Sequence, residues 1–135
     1  MNIALWIVQA LLALAFGAAG AMKLATPVDE LVANGMTYAA HVPVWVTKLA
    51  GASEVVGAVG LILPAALRIK PILTPMAAAG LVTVMLGAIA THVILGEWGA
   101  LGGPVVLGVM AAFVAWGRFT ARPIVPRSDA AASAA

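Results

Sequence analysis

The stretch PVWVTKLAGASEVVGAVGLIL, Pro43 to Leu63, is an apolar run with Lys48 near its start and a single carboxylate, Glu54, at its middle. A spanning helix needs about 20 apolar residues to cross a hydrocarbon core of about 30 Å. Three further runs, Ile3–Leu24, Ile72–Leu95 and Pro104–Trp116, reach or approach that length, the last being the short one. Hydrophobic residues make up 64% of the chain and charged ones 9%, with a mean hydropathy of +1.10. A soluble domain would carry about a quarter charged residues. The expected fold class is therefore all-α: a four-transmembrane-helix bundle with a short interfacial helix between the first and second spans. One membrane domain, 1–122, precedes a Pro/Ser/Ala-rich tail, 123–135, expected to be disordered and cytoplasmic.

Zero cysteines exclude disulfides, thiolate metal sites and thiol redox chemistry carried by this chain. The pI of about 9.5 rests on seven Lys/Arg against five Asp/Glu. No basic patch is interleaved with aromatics, so nucleic acid is not an expected partner. The first run reads as a retained helix, because Met1-Asn2 lacks the basic flank of a signal peptide and the run exceeds the usual apolar core.

Four spans put both termini and the second loop on one side. That side holds Arg68, Lys70, Arg118, Arg122 and Arg127, whereas the other holds Lys23, Lys48 and Glu97. The positive-inside rule predicts a multi-pass protein of the plasma membrane with cytoplasmic N- and C-termini. Trp6 and Trp116 at the inner interface, and Trp45 and Trp98 at the outer one, form the matching aromatic belts.

Proline punctuates the boundaries. Pro71 and Pro104 fall where helices begin, and Pro75 is placed to bend the start of the third span. Thr26-Pro27-Val28-Asp29-Glu30 has the form of a cap followed by a first-position proline and first-turn acids, and Gly35 offers a stop. A short interfacial helix is expected near Pro27–Asn34, dipping Val28, Leu31 and Val32 into the membrane surface. Small residues at four-residue spacing mark close-packing faces: Ala13, Gly17 and Ala21; Thr83, Gly87 and Thr91; Gly108 and Ala112. Ala50, Gly51, Gly57 and Ala58 surround Glu54, which points it into the bundle.

Glu54 lies about 16 Å into its span, near the bilayer centre, by helical rise. A carboxylate there costs about 2.5–3.5 kcal/mol or more unless it is paired, hydrated or neutral. It either pairs with a base or keeps its proton and bonds Ser53, Thr47 or Thr83. Lys23, at the outer end of the first span, either snorkels to the interface or turns inward towards Glu54. Lys48 reads as a snorkelling anchor, six residues from Glu54 and on another face. His92, near the outer end of the third span, is either an interfacial histidine or a proton carrier. His41 and Glu97 are expected to be solvated. No spacing supports a metal site or bis-histidine haem. Lys23, Glu54 and His92, from three helices and all in the outer half, are the candidate polar lining of one ligand pocket covered by the interfacial helix.

The order Phe16-Gly-Ala-Ala-Gly-Ala-Met-Lys23-Leu, then Gly51-Ala-Ser-Glu54-Val-Val-Gly-Ala-Val-Gly-Leu-Ile-Leu-Pro64, resembles the DoxX-like family of small four-helix membrane proteins. Gly87 and His92 in the third span and the ending Phe113-Val-Ala-Trp-Gly-Arg118-Phe fit as well. Lys23 and Glu54 match the polar signature; His92 matches it less strictly. The resemblance implies relatives that include a membrane subunit of a thiosulfate:quinone oxidoreductase and anchors of oxidative-stress complexes. A minimal bundle without cysteine departs from the former, whose activity does not transfer. The expected function is an accessory or anchor subunit of a membrane redox system, or a binder of a quinone-like apolar ligand, with the lipid bilayer and either a redox protein or a second copy as partners. The alternatives are a small membrane enzyme moving protons through Glu54 and His92, and a proton-coupled carrier. No covalently held cofactor is expected; quinone is the candidate.

Overall fold

A computed structural model describes residues 1–132 and is all helical. Four long helices carry the apolar runs: α1 (Asn2–Ala25), α3 (Val44–Leu67), α4 (Leu73–Ile94) and α5 (Gly102–Trp116), with α2 (Val28–Ala33) between the first two. The short fourth run is lengthened at both ends. A 3₁₀ turn at Trp98–Ala100 precedes α5 and a π turn at Gly117–Ala121 continues it, giving an apolar helical stretch from Trp98 to Ala121. This is a small integral membrane protein with four spans.

Helices α1 and α3 pack along one another, α3 on α4, and α4 on α5; α1 and α5 close the ring with a lighter seam. Leu12, Phe16, Leu61, Leu81, Met85 and Val114 fill the centre. Large apolar side chains such as Leu14 (72% exposed), Val56 and Ile94 face outwards. Lipid is as apolar as they are, so leaving them on the perimeter costs nothing in a bilayer.

The α1–α3 contact is the closest approach that the sequence permits. A Cβ on Gly20 would lie 2.6 Å from the carbonyl oxygen of Gly51, and one on Gly51 would lie 2.9 Å from that of Gly20. The expected Ala13–Gly17–Ala21 stripe is thus corrected at its last member: Gly17 lies opposite Ala58 of α3, but Gly20 makes the closer approach, and Ala21 faces outwards. The buried face of α1 instead runs Leu5, Gln9, Leu12, Phe16, Gly20 and Lys23. On α4 the Thr83–Gly87–Thr91 stripe packs no helix. Thr83 and Thr91 donate back to their own helix, at Ala79 and Gly87, and nothing lies against Gly87.

Prolines act as positions dictate. Pro75 falls in the first turn of α4, where its missing N–H has no partner to lose, so the helix simply begins there. Pro64 lies inside α3 and the helix continues three residues past it, to Leu67. Helix α2 starts one residue later than the expected cap: Pro27 precedes it and Thr26 makes no side-chain cap bond. Its end is a Schellman motif with Gly35 at φ +95°, the N–H groups of Met36 and Gly35 donating to the carbonyls of Leu31 and Val32. Leu31 is fully buried, and Val28 and Val32 are half-buried.

Of the expected disordered tail, residues 133–135 lie outside the described ones. Arg127–Ala132 form α6, whose first N–H donates to the Arg68 carbonyl (3.1 Å) in the loop between α3 and α4. We call the end of the bundle bearing both chain termini the terminal end. The opposite end, roofed by residues 26–43 and 95–101, is the hooded end.

Candidate functional site: a polar-floored cavity at the hooded end

A cavity of about 420 Å³ opens at the hooded end between α1, α3, α4 and the first turns of α5. Its walls are mostly apolar, with Phe16, Val46, Met85 and Leu107 among them. Lys23, Tyr38, Glu54 and His92 supply the polar part. Gly87 and Thr91 line it too, which is the use the structure finds for the small stripe on α4.

Lys23 turns inward. Its Nζ donates to Oε1 of Glu54 at 2.5 Å, with Glu54 2% exposed and Lys23 9%. The Gly20–Gly51 approach makes this possible, because it brings the α1 backbone close enough for the lysine stem to reach the neighbouring span. Of the three hydroxyls considered beside Glu54, Ser53 and Thr83 donate to carbonyls of their own helices, and Thr47 has no partner. Glu54 lines the cavity, and its Oε2 is buried and lacks a hydrogen-bond partner. A buried polar atom of that kind is costly unless something bonds it.

Lys48 is more than a snorkelling anchor. Its Nζ donates to the carbonyls of Lys23, Leu24 and Thr26 at 2.7, 3.1 and 2.9 Å. These are carbonyls that the end of α1 leaves unsatisfied, and a cation there also meets the negative end of the helix dipole. Lys48 thereby fixes the helix end that carries Lys23.

His92 stands on the same cavity wall but bonds a different carboxylate. Helix α4 ends in a second Schellman motif, Gly96 at φ +72°, in which the N–H of Glu97 donates to the carbonyl of His92 (2.8 Å). That turn folds Glu97 back on His92, and Oε2 meets Nδ1 at 2.7 Å. Glu97 Oε1 accepts from Thr37 Oγ1 at 2.5 Å. Glu97, expected to be solvated, is therefore the clasp between the roof and α4. The Thr37 hydroxyl first, and then His92, hold its carboxyl below the usual glutamate range.

Tyr38, which no sequence signal singled out, follows Thr37 in a 3₁₀ turn (Thr37–Ala40) and packs edge-on against the His92 ring, centroids 5.6 Å apart. Burial, and then the charge of Glu54, push its phenol up to about 12. The phenol is thus a neutral donor in the lining of the cavity that Glu54 also lines. The expected trio is brought to one cavity, but only Lys23 and Glu54 touch.

At the terminal end the sequence reading missed a second polar cluster. Gln9, fully buried, donates to the Leu61 carbonyl at 2.7 Å and accepts from Arg118 Nε at 2.6 Å. Arg118, counted in the sequence as a topological charge, is 3% exposed. Gln9 was legible: it is the polar member of the Leu5–Leu12–Phe16 face.

Comparison with curated proteins and with solved structures returns no match. The model of the DoxX-like family matches residues 7–114, from the first turns of α1 to the last of α5, and so includes Lys23, Glu54 and His92. With that stretch covering most of the chain and all four spans, the protein belongs to the DoxX-like family.

Proposed function

We propose that the cavity at the hooded end binds an apolar small molecule with a hydrogen-bonding head, of the quinone class, and that the chain serves as an accessory or anchoring subunit of a membrane redox system. The observation that carries this reading is the buried Lys23–Glu54 pair in the lining of a mostly apolar cavity, with Glu54 Oε2 left without a partner. The cavity volume falls in the range of about 300–1,000 Å³ typical of small-molecule sites, and few polar groups in an apolar lining is their usual make-up. The ammonium of Lys23 and the neutral Tyr38 phenol suit a ligand carbonyl, whereas Glu54 Oε2 suits a ligand hydroxyl. One site thereby offers complementary groups to a quinone and to its quinol.

Photolabelling with a short-chain azidobenzoquinone in mild detergent tests this. Labels should map to the α4 and α5 segments that line the cavity, and unlabelled quinone should compete them away. Glu54→Gln should weaken capture about tenfold, the worth of one charge-assisted bond, while Trp45→Phe on the perimeter should not. Equal, uncompeted labelling of all three proteins would reject the reading.

One observation favours a second reading, an enzyme that moves protons on a lipophilic substrate. His92 is oriented by a carboxylate, as a general base must be, on the wall that also carries Glu54. A turnover with bell-shaped pH dependence, lost in both Glu54→Gln and His92→Gln, would select it. As to orientation, we place both termini in the cytoplasm at the plasma membrane, from the basic residues at the terminal end. The chain has no cysteine, so Ser128→Cys and Ala100→Cys can be labelled singly. An impermeant maleimide on intact cells should reach only Ala100→Cys, and the reverse pattern inverts the topology.

A further inference from the structure

A second cavity, of about 500 Å³, lies at the terminal end. Three arginines line it: Arg68 from the left-handed cap of α3 (φ 56°), and Arg118 and Arg122 from the π turn and its end. Arg118 is the informative one. Its Nε donates to Gln9, its Nη1 to Oδ1 of Asn2 (2.7 Å) and to the Arg122 carbonyl (3.3 Å), and its Cζ lies 5.3 Å from the Trp6 ring centroid. Its Nη2 is buried and bonds nothing. Every partner is a dipole or a π face.

Among the described residues the ion pairs are Lys23–Glu54 and His92–Glu97, and neither involves these arginines. Three guanidinium groups thus gather around one cavity with no carboxylate among them. A cation buried to this degree is costly unless a counter-charge meets it. None of the described residues that line the cavity supplies that counter-charge.

We propose that this cavity binds a phosphate-bearing anion. The guanidinium fork matches phosphate oxygens in pairs, and Trp6, Gln9 and Asn2 hold the Arg118 plane fixed for the purpose. Arg68 and Arg122, both exposed, supply charge at the rim. The site lies where the spans end, at the depth of lipid headgroups. The cavity exceeds a phosphate ion in size, and Ile124 and Val125 give its remaining wall an apolar character. A phospholipid phosphate and free phosphate share the recognised chemistry, and the test separates them.

The full chain, purified in mild detergent and stripped of lipid, is mixed with phosphatidylglycerol or with phosphatidylcholine and read by native mass spectrometry. In parallel its melting temperature is followed in sodium phosphate against sodium chloride of equal ionic strength. Retention of phosphatidylglycerol over phosphatidylcholine marks a lipid site, and a phosphate-specific rise in melting temperature marks a soluble anion. Either response should fall about tenfold in Arg68→Gln/Arg122→Gln, as two exposed, solvent-screened charge contacts are lost. Arg118→Gln should abolish it; if that variant fails to fold, the rim variant still decides. Arg127→Gln, on the same side but outside the cavity, should change nothing. Neither response, or a response that Arg127→Gln weakens as much as the rim variant does, overturns the proposal.

Discussion

Lys23 and Arg118 both bury a positive charge in the same bundle, yet the two ends treat it differently. At the hooded end the charge meets a carboxylate, and the neighbouring helices leave space for a cavity walled by Phe16 of α1 and Leu107 of α5. At the terminal end the charge meets two amide oxygens, a backbone carbonyl and an indole. There α1 and α5 touch: the Leu5 side chain occupies the place where a Cβ on Gly117 would stand. One end joins α1 to the end of the fourth span beside a cavity lined by arginines, and the other holds a cavity whose buried ammonium is met by a carboxylate. A buried charge can therefore serve either to join helices or to equip a space between them.

The sharpest test of that contrast is to strip each charge of its support. Lys23→Ala leaves the Glu54 carboxylate without its ammonium in a low-dielectric site. It should cost about 3–5 kcal/mol of unfolding free energy in mild detergent, whereas Lys23→Met/Glu54→Leu should recover most of the loss. A cost below about 1 kcal/mol would mean that solvent, not Lys23, neutralises the floor. At the other end Gln9→Leu removes the bridge between Arg118 and the Leu61 carbonyl. The expected loss is about 1–3 kcal/mol by the same measurement, since two buried groups lose one partner each. A larger penalty than that of Lys23→Ala would reverse the comparison.

A third experiment reads the hooded end without perturbing the fold. The chain has one tyrosine, so the phenolate absorbance near 295 nm reports Tyr38 alone. Its midpoint should lie near 12 instead of about 10, and Glu54→Gln should move it back towards the ordinary value. The sign for stability follows. The folded state holds this proton more tightly than the unfolded chain does. The associated stability is complete below pH of about 10 and is lost as pH rises from there to about 12. An ordinary midpoint would mean that the phenol is solvated and does not face the cavity.

Much of this was open to reading in the residues. The depth of Glu54 follows from counting along α3, and a carboxylate at that depth demands a partner. What could not be read was the partner. Lys23 at a helix end is equally compatible with snorkelling and with turning inward, and the difference is made by how closely α1 approaches α3. Glu97 looked like a loop acid until the turn at Gly96 brought it back on His92. Arg118 looked like one more basic residue flanking a span, because a one-dimensional count of charges does not distinguish a side chain at the interface from one folded into the bundle. Gln9 was the clue to its burial, lying on the most apolar face of α1.

The residues alone determined that four helices span the membrane, that both termini share a side and that one acid must be sheltered within. Length, hydropathy and the cost of a charge in hydrocarbon settle those points locally. Tertiary structure decided which cation meets that acid, where the bundle leaves its cavities, and that the arginines at the terminal end share one that no acid among the described residues lines. Such outcomes depend on contacts between residues far apart in the chain, set by where glycine lets two backbones meet.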